Sequence, residues 1–224
     1  MNAYNIKLCE EYHWNDTLAI CHLLQGWYEI CRRQLSQAEK ALAQAERVLR
    51  PSSIVADICR LDWVWALLAE GKGEYEKGLQ RVNDALFTAA DKGLRLWQAD
   101  LLVLRGRLRL LQINKEGKKD KTDKELLERV GDDAHETLKI AEQTGYIWPK
   151  VEALEFLASY HQTRANFPGF NSQDEKTSAQ RYANEAVSLK AGLVLTEKQI
   201  EELKIQARKE FEKDGWMRYY EDSW

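Results

Sequence analysis

Apolar residues recur at helical spacing through most of the chain, and short turn-forming segments interrupt them at regular places. The best-preserved example is a helical pattern over residues 54–70 that is followed at once by a second one over residues 75–92. Between them, Gly73 can adopt the positive φ that a very short helix-to-helix turn requires. One face of the second helix carries small residues, which allow close helix approach: Gly78, Val82 and Ala85. The pattern predicts an antiparallel helical hairpin.

This hairpin pattern recurs along the chain. Alanines that close successive apolar stripes stand at positions 45, 85, 141 and 186. The two longer intervals contain polar insertions at 114–124 and 166–177, which we expect to be loops, the first of them mobile. Without the insertions the period is roughly 35–45 residues, which is typical of solenoids built from helical hairpins.

We therefore predict a single all-α domain over residues 1–224. It is expected to be a right-handed superhelical solenoid of about four antiparallel hairpins. The predicted hairpins cover 14–50, 53–93, 96–145 and 148–192, and a capping helix with an aromatic tail covers 196–224. Stacking is required because one hairpin cannot bury its own apolar face.

Helix ends are marked by glycines and by capping residues. Gly93 and Gly145 are expected to end helices. Ser36 with Glu39 has the spacing of a capping box, and Ser178 is expected to begin the helix after the second insertion.

The amino-acid composition limits the classes of function that this protein can have. With 44% hydrophobic and 31% charged residues and a net charge of −3, the chain is typical of a soluble protein, and nucleic acid is an improbable partner. The four cysteines form no C-x-x-C pair and are expected to be reduced and buried. No signal peptide and no membrane-spanning segment is predicted, so we expect a cytoplasmic protein.

The run from Gly73 to Leu86 carries a known signature. It resembles the tetratricopeptide repeat, with Gly78 where that family usually has alanine. The family's small position in the first helix is filled in successive units by Gly26, Ala66, Gly106 and Ala158. The family's proline after the second helix is mostly missing, and Pro51 is nearest to it. This resemblance implies the predicted solenoid fold.

A narrower resemblance involves three sequence segments, at 90–96, 99–108 and 141–149. They are similar to the repeat tails of bacterial STAND-class signalling ATPases. In that class, such repeats usually follow a nucleotide-binding domain and act as sensor or scaffold. The chain has no G-x-x-x-x-G-K-[ST] phosphate-binding motif, so the resemblance implies a regulatory role and no nucleotide chemistry.

In a superhelix of hairpins, the first helix of each pair lines the concave face. The small positions set the register and predict the residues that contact a partner: Trp27, Arg60, Trp63, Asp100, Arg107, Glu152 and Glu155. Each residue turns an α-helix by about 100°, so Trp63 and Trp65, two positions apart, cannot both face the same core, and one of them is expected in the groove. Trp27 and Trp63 are candidate aromatic anchors for a peptide. The alternative is that both pack between repeats.

Arginines supply the candidate anion contacts. Arg60 and Arg107 are the residues expected to bind an acidic group. Arg105 and Arg109 flank Arg107, but alternate positions do not share a helix face, and a solvated position is the simpler interpretation. The four histidines are scattered and offer no metal ligand set, and no nucleophile–base pair can be proposed from spacing.

These features favour a scaffold or sensor module that binds a peptide or protein partner in its groove. We expect no enzymatic activity, cofactor or metal. Two alternatives stay open: the regulatory part of a STAND-type signalling or defence system, and an RNA-binding helical repeat. The oligomeric state is not fixed by the sequence.

Overall fold

The computed structural model describes residues 2–49, 55–116 and 121–193, together with residues 202, 205 and 206. Within these residues the protein is all-α, as predicted, and contains no strand. The helices of this part of the chain are α1 (Asn2–Glu11), α2 (Asn15–Cys31), α3 (Leu35–Leu49), α4 (Val55–Lys72), α5 (Tyr75–Asp91), α6 (Arg95–Glu116), α7 (Lys121–Thr144), α8 (Ile147–Ala165) and α9 (Ser172–Leu193).

Neighbouring helices pack in consecutive pairs. The most extensive contacts join α2 to α3, α4 to α5 and α6 to α7, and smaller ones join each pair to the next. The even-numbered helices also touch one another in order, from α2 to α4, α6 and α8. They therefore form a continuous layer in which each member lies beside the next.

The chain divides into two compact units, Met1–Ala186 and Val187–Trp224. The packing above belongs to the first unit. The second is described at residues 187–193, which end α9, and at three further positions, which are helical. The predicted capping helix and the aromatic tail over 196–224 otherwise lie outside the described residues.

Tight turns connect the helices, and their backbone geometry follows the prediction. Gly73, Gly93 and Gly145 all have positive φ, between 65° and 72°. At Gly73 the chain makes the two hydrogen bonds of a Schellman motif, from Gly73 N to Glu70 O and from the next amide to Ala69 O. The turn therefore ends α4 and redirects the chain within a few residues.

The predicted loop over 114–124 is wrong at both of its ends. Helix α6 continues to Glu116 and α7 begins at Lys121, whereas residues 117–120 lie outside the described part of the chain. The physical reason is composition, because lysine and glutamate favour helix and a charged run can extend two helices on their exposed sides. The insertion lengthens the third hairpin.

Helix starts were predicted less well. Ser36 lies inside α3, whose first turn is closed by Ala38 N donating to Gln34 O, so it caps no helix end. Helix α9 begins at Ser172, which places Ser178 inside it. Its start is capped by the Asn171 side chain, which accepts a hydrogen bond of 3.1 Å from Gln173 N.

Three of the four cysteines are buried as expected, but Cys31 is exposed. It is the last residue of α2, on a side that no described helix covers. Burial was predicted because the residue continues an apolar stripe at helical spacing, and the stripe faces solvent there.

Candidate binding surface on the even-numbered helices

All seven predicted contact residues lie on the even-numbered helices. The solvent-facing side of this layer carries Trp27 on α2, Arg60 and Trp63 on α4, Asp100 and Arg107 on α6, and Glu152 and Glu155 on α8. The structure brings two pairs of them together across neighbouring helices. These are Trp27 with Trp63, and Asp100 with Glu152.

The tryptophan pair joins α2 to α4. Its ring centroids are 6.3 Å apart and the ring planes are inclined by 60°, a tilted contact favourable for aromatic rings. Trp63 is partly buried and packs against the cores on both sides of α4. Trp27 remains 44% exposed. The pair therefore packs between successive hairpins and still presents aromatic surface to solvent.

Trp65 points away from this surface, as expected for a residue two positions from Trp63 on a helix. It lies on the side of α4 that faces α3 and α5, where the Arg81 guanidinium carbon is 5.3 Å from its ring centroid. Its indole N–H is buried and makes no hydrogen bond. Arg81 also pairs with Glu46 at 3.1 Å and with Asp62 at 2.9 Å.

A groove of about 630 Å³ lies on that same side, between α3, α4 and α5. Both acidic and basic side chains line it, and Asp62, Trp65 and Arg81 form part of its wall. The sequence did not indicate it, because its walls come from three helices that are separated by turns. Among its cations, Arg81 is paired with two carboxylates, those of Glu46 and Asp62.

Arg60 is held in place by two contacts on the even-numbered layer. Its guanidinium donates to Asp57 Oδ1 at 3.1 Å and lies 5.5 Å from the Trp97 ring centroid. Trp97 belongs to α6, so this cation–π contact links neighbouring helices. The sequence did not single out Trp97 as a surface residue, because an aromatic residue at helical spacing is equally typical of a buried core.

The acidic end of the surface is formed by Asp100 and Glu152. Burial between α6 and α8, together with the negative charge of Glu152, raises the pKa of Asp100 to about 7 from its usual 3.8. Glu152 accepts a hydrogen bond of 3.1 Å from the Trp148 indole N–H. The negative charge of Glu152 therefore adds to burial in disfavouring ionisation of Asp100.

Arg107 lies on the same layer but has an intramolecular partner. It donates two hydrogen bonds, of 2.6 and 3.1 Å, to Glu70 on α4. Arg105 and Arg109 point to the opposite side of α6, as expected for alternate positions. Both bind Asp133 on α7. The interpretation of these two arginines as solvated is wrong, because Asp133 is buried and lies within their reach.

Within the described residues, no three histidine, cysteine or acidic side chains are grouped to hold a metal ion. Nor does any described helix combine the length and apolar character needed to cross a bilayer. The comparisons with protein-family models, curated proteins and solved structures give no match to this chain. The consecutive pairing of the described helices is compatible with a helical repeat, and the likeness to tetratricopeptide and STAND-class repeats rests on the sequence resemblance alone.

Proposed function

We propose that this protein is a binding module for a peptide or protein segment and that the segment lies along the solvent-facing side of α2, α4, α6 and α8. The observation that carries the proposal is the Trp27–Trp63 pair, which keeps aromatic surface exposed at a helix–helix junction. Exposed aromatic rings on a packed scaffold are typical anchor points for a partner.

The charge on this surface selects the partner's chemistry. The negative charge of Glu152 adds to that of Asp100, whereas Arg60 and Arg107 are paired with carboxylates. A segment that carries a lysine or arginine would place its cation beside the two carboxylates and its apolar residues against Trp27. The same carboxylates would repel phosphate groups, which disfavours RNA.

We also propose that the helices form a right-handed solenoid of tetratricopeptide type. Direct contacts between successive even-numbered helices support this, as do the consecutive pairing of helices and the Gly73 turn. A layer of first helices in mutual contact forms the inner side of such a solenoid. A rigid surface of this kind loses little conformational entropy when it binds.

The test uses a displayed library of short peptides that is panned against the full-length protein at pH 8. We expect enrichment of peptides that combine a basic residue with an aromatic or large aliphatic residue. Trp27→Ala should weaken an enriched peptide by about tenfold or more, since an anchor residue contributes more than 1 kcal/mol. Asp100→Asn should weaken basic peptides selectively.

Phe87→Ala is the matched control. Phe87 is 79% exposed but lies on α5, outside the even-numbered layer, so its removal should leave peptide affinity unchanged. Equal affinity for wild type and Trp27→Ala would refute the proposed surface, as would enrichment of acidic peptides.

A further inference from the structure

Two of the four cysteines lie beside each other where α1 packs on α2. Cys9 is 3% exposed and Cys21 is 8% exposed, and together with Leu18 they form one buried cluster. Both thiols are free. Burial, together with the neighbouring Cys9 thiol, raises the pKa of the Cys21 thiol. The contact between α1 and α2 therefore contains a pair of reduced sulfur atoms.

The turn between the two helices holds this pair in place. His13 has a φ of 56°, and Trp14 N donates a hydrogen bond of 2.9 Å to the carbonyl oxygen of Cys9. This is the longer of the two hydrogen bonds that define a Schellman motif. The backbone of Cys9 is therefore tied to the start of α2, which keeps its side chain beside that helix.

The same two positions meet again at later junctions between helices, where aliphatic residues occupy them. They lie 40 or 80 residues after their counterparts in the cysteine pair and are Leu49 with Leu61 and Ala89 with Leu101. Each of these pairs belongs to one buried cluster. The fold thus brings the two positions together at three successive junctions, and at the first of them both carry sulfur.

We infer that Cys9 and Cys21 form a reversible disulfide, which fixes α1 to α2 under oxidising conditions. The oxidant is a small-molecule disulfide of the glutathione type. The thiolate of one cysteine attacks it, forms a mixed disulfide and releases one small thiolate, and the thiolate of the other cysteine then displaces the second. The chain loses two electrons and two protons, and the small disulfide is reduced to two thiols.

Access to the two sulfur atoms depends on the opening of α1. In the closed state both are buried, and the raised pKa of Cys21 leaves little of its thiolate to react. The main contacts of α1 with the other described helices are those with α2, so one local opening exposes both thiols. A disulfide that forms in the open state is buried again when α1 returns.

The other two cysteines serve as internal comparisons. Cys31 is exposed. Cys59 is buried in a different cluster, whose other members carry no thiol, and its Sγ lies 3.8 Å from the carbonyl oxygen of Ala85. We therefore expect Cys31 to form mixed disulfides or links between chains, and Cys59 to stay reduced in the folded protein.

The experiment uses the full-length chain with Cys31→Ser, which removes the exposed thiol. The protein is equilibrated at pH 8 with mixtures of reduced and oxidised glutathione, and the remaining thiols are alkylated and counted by mass spectrometry. We expect one oxidised species in which two thiols escape alkylation, at a fraction independent of protein concentration. Proteolysis after Glu11 separates Cys9 from Cys21, and the two fragments should stay linked until a reductant is added.

Oxidation should also slow the opening of the first helix. Hydrogen exchange compares the reduced and oxidised forms of the same chain. We expect the C-terminal half of α1 to exchange about tenfold more slowly, or slower still, after oxidation, because the bond opposes local opening. Exchange in α6 should not change, since this helix lies outside the bridged segment.

Cys9→Ala and Cys21→Ala, each combined with Cys31→Ser, are the matched controls. Each keeps one thiol of the pair, so it should bind at most one glutathione there, link no fragments and show no slower exchange in α1. These results do not depend on peptide binding, because α1 lies outside the even-numbered layer.

Three outcomes would overturn the inference. The first is a pair that stays reduced at every glutathione ratio, including after the chain has been unfolded and refolded in the same buffers. The second is attachment of one glutathione to each cysteine without a link between Cys9 and Cys21. The third is a linked chain in which α1 exchanges as fast as it does in the reduced form.

Discussion

At the scale of single residues, two positions have surroundings that their residue type does not suggest. Asp100 is an acid held close to another acid, and Gly106 is a glycine inside a helix. In both cases a side chain on the neighbouring helix α8 creates these surroundings. Neither can be judged from sequence spacing alone, and each leads to a direct test.

Asp100 should make the free energy of unfolding depend on pH. Its pKa is raised to about 7 in the folded protein, so the folded state binds this proton more tightly than the unfolded state does. The stabilisation from this group is therefore fully present below pH 4 and is lost as pH rises toward 7. Asp100→Asn should be more stable than wild type at pH 8 by about 1–3 kcal/mol, with a smaller gain at pH 5. Urea unfolding at both pH values measures this, and an equal gain at both would contradict it.

Gly106 should not tolerate a larger side chain. A Cβ atom at this position would lie 1.9 Å from Cζ of Phe156, whose ring is buried on α8. Gly106→Ala should therefore destabilise the protein by about 1–3 kcal/mol through overpacking, although alanine favours helix. Gly192→Ala is the control because a Cβ there would meet nothing within 4 Å. Thermal unfolding compares the two, and similar melting temperatures would show that α8 does not approach α6 this closely.

At the scale of helices, polar contacts hold neighbouring helices together in addition to the packing of their apolar faces. The clearest example joins α6 to α7, where Asp133 is 2% exposed and binds both Arg105 and Arg109. A similar arrangement holds α9 to α8 through Glu175, which binds His161 at 2.6 Å and Arg164 at 3.1 Å. These contacts fix one helix against the next at a defined register.

Removing the Asp133 carboxylate should destabilise the folded protein. Asp133→Ala leaves two arginines with no charge partner at this position in a partly buried site, and we expect a loss of about 3 kcal/mol in the free energy of unfolding. Arg107→Ala is the matched control, because the Arg107–Glu70 pair is more exposed and should contribute no more than about 1 kcal/mol. Chemical denaturation ranks the two, and an equal loss would place the Asp133 cluster among ordinary surface pairs.

At the scale of the whole molecule, stability should vary along the first unit. Helices α4 and α6 have packed neighbours on both sides, whereas the main contacts of α1 with the other described helices are those with α2. In a stack of hairpins each unit is stabilised by its nearest neighbours, so the middle of the stack has more interfaces than its beginning.

Hydrogen exchange followed by mass spectrometry should show this gradient. We expect the slowest exchange in α4 and α6 and fast exchange in α1, because opening α1 breaks a single interface. Uniform protection of α1 through α8 would show that the first unit unfolds as one block.

Much of this fold could be predicted from the sequence because the relevant signals are local. The positive φ of Gly73, Gly93 and Gly145 follows from residue type at the end of a helical stripe. Helix boundaries in charged segments were missed, since 114–124 has the composition of both a loop and an exposed helix end. The choice between them depends on whether the neighbouring helices leave that side free.

The sequence by itself determined the helical period, the sites of the tight turns and the separation of Trp63 from Trp65, because these follow from backbone geometry and residue type. Only the tertiary structure decided which side chains meet across helices. It placed Trp27 against Trp63 and Asp100 beside Glu152, and it left the apolar residues Leu24 and Tyr28 of α2 exposed. The physical reason is that periodicity identifies an apolar face, whereas burial depends on whether another helix lies against that face.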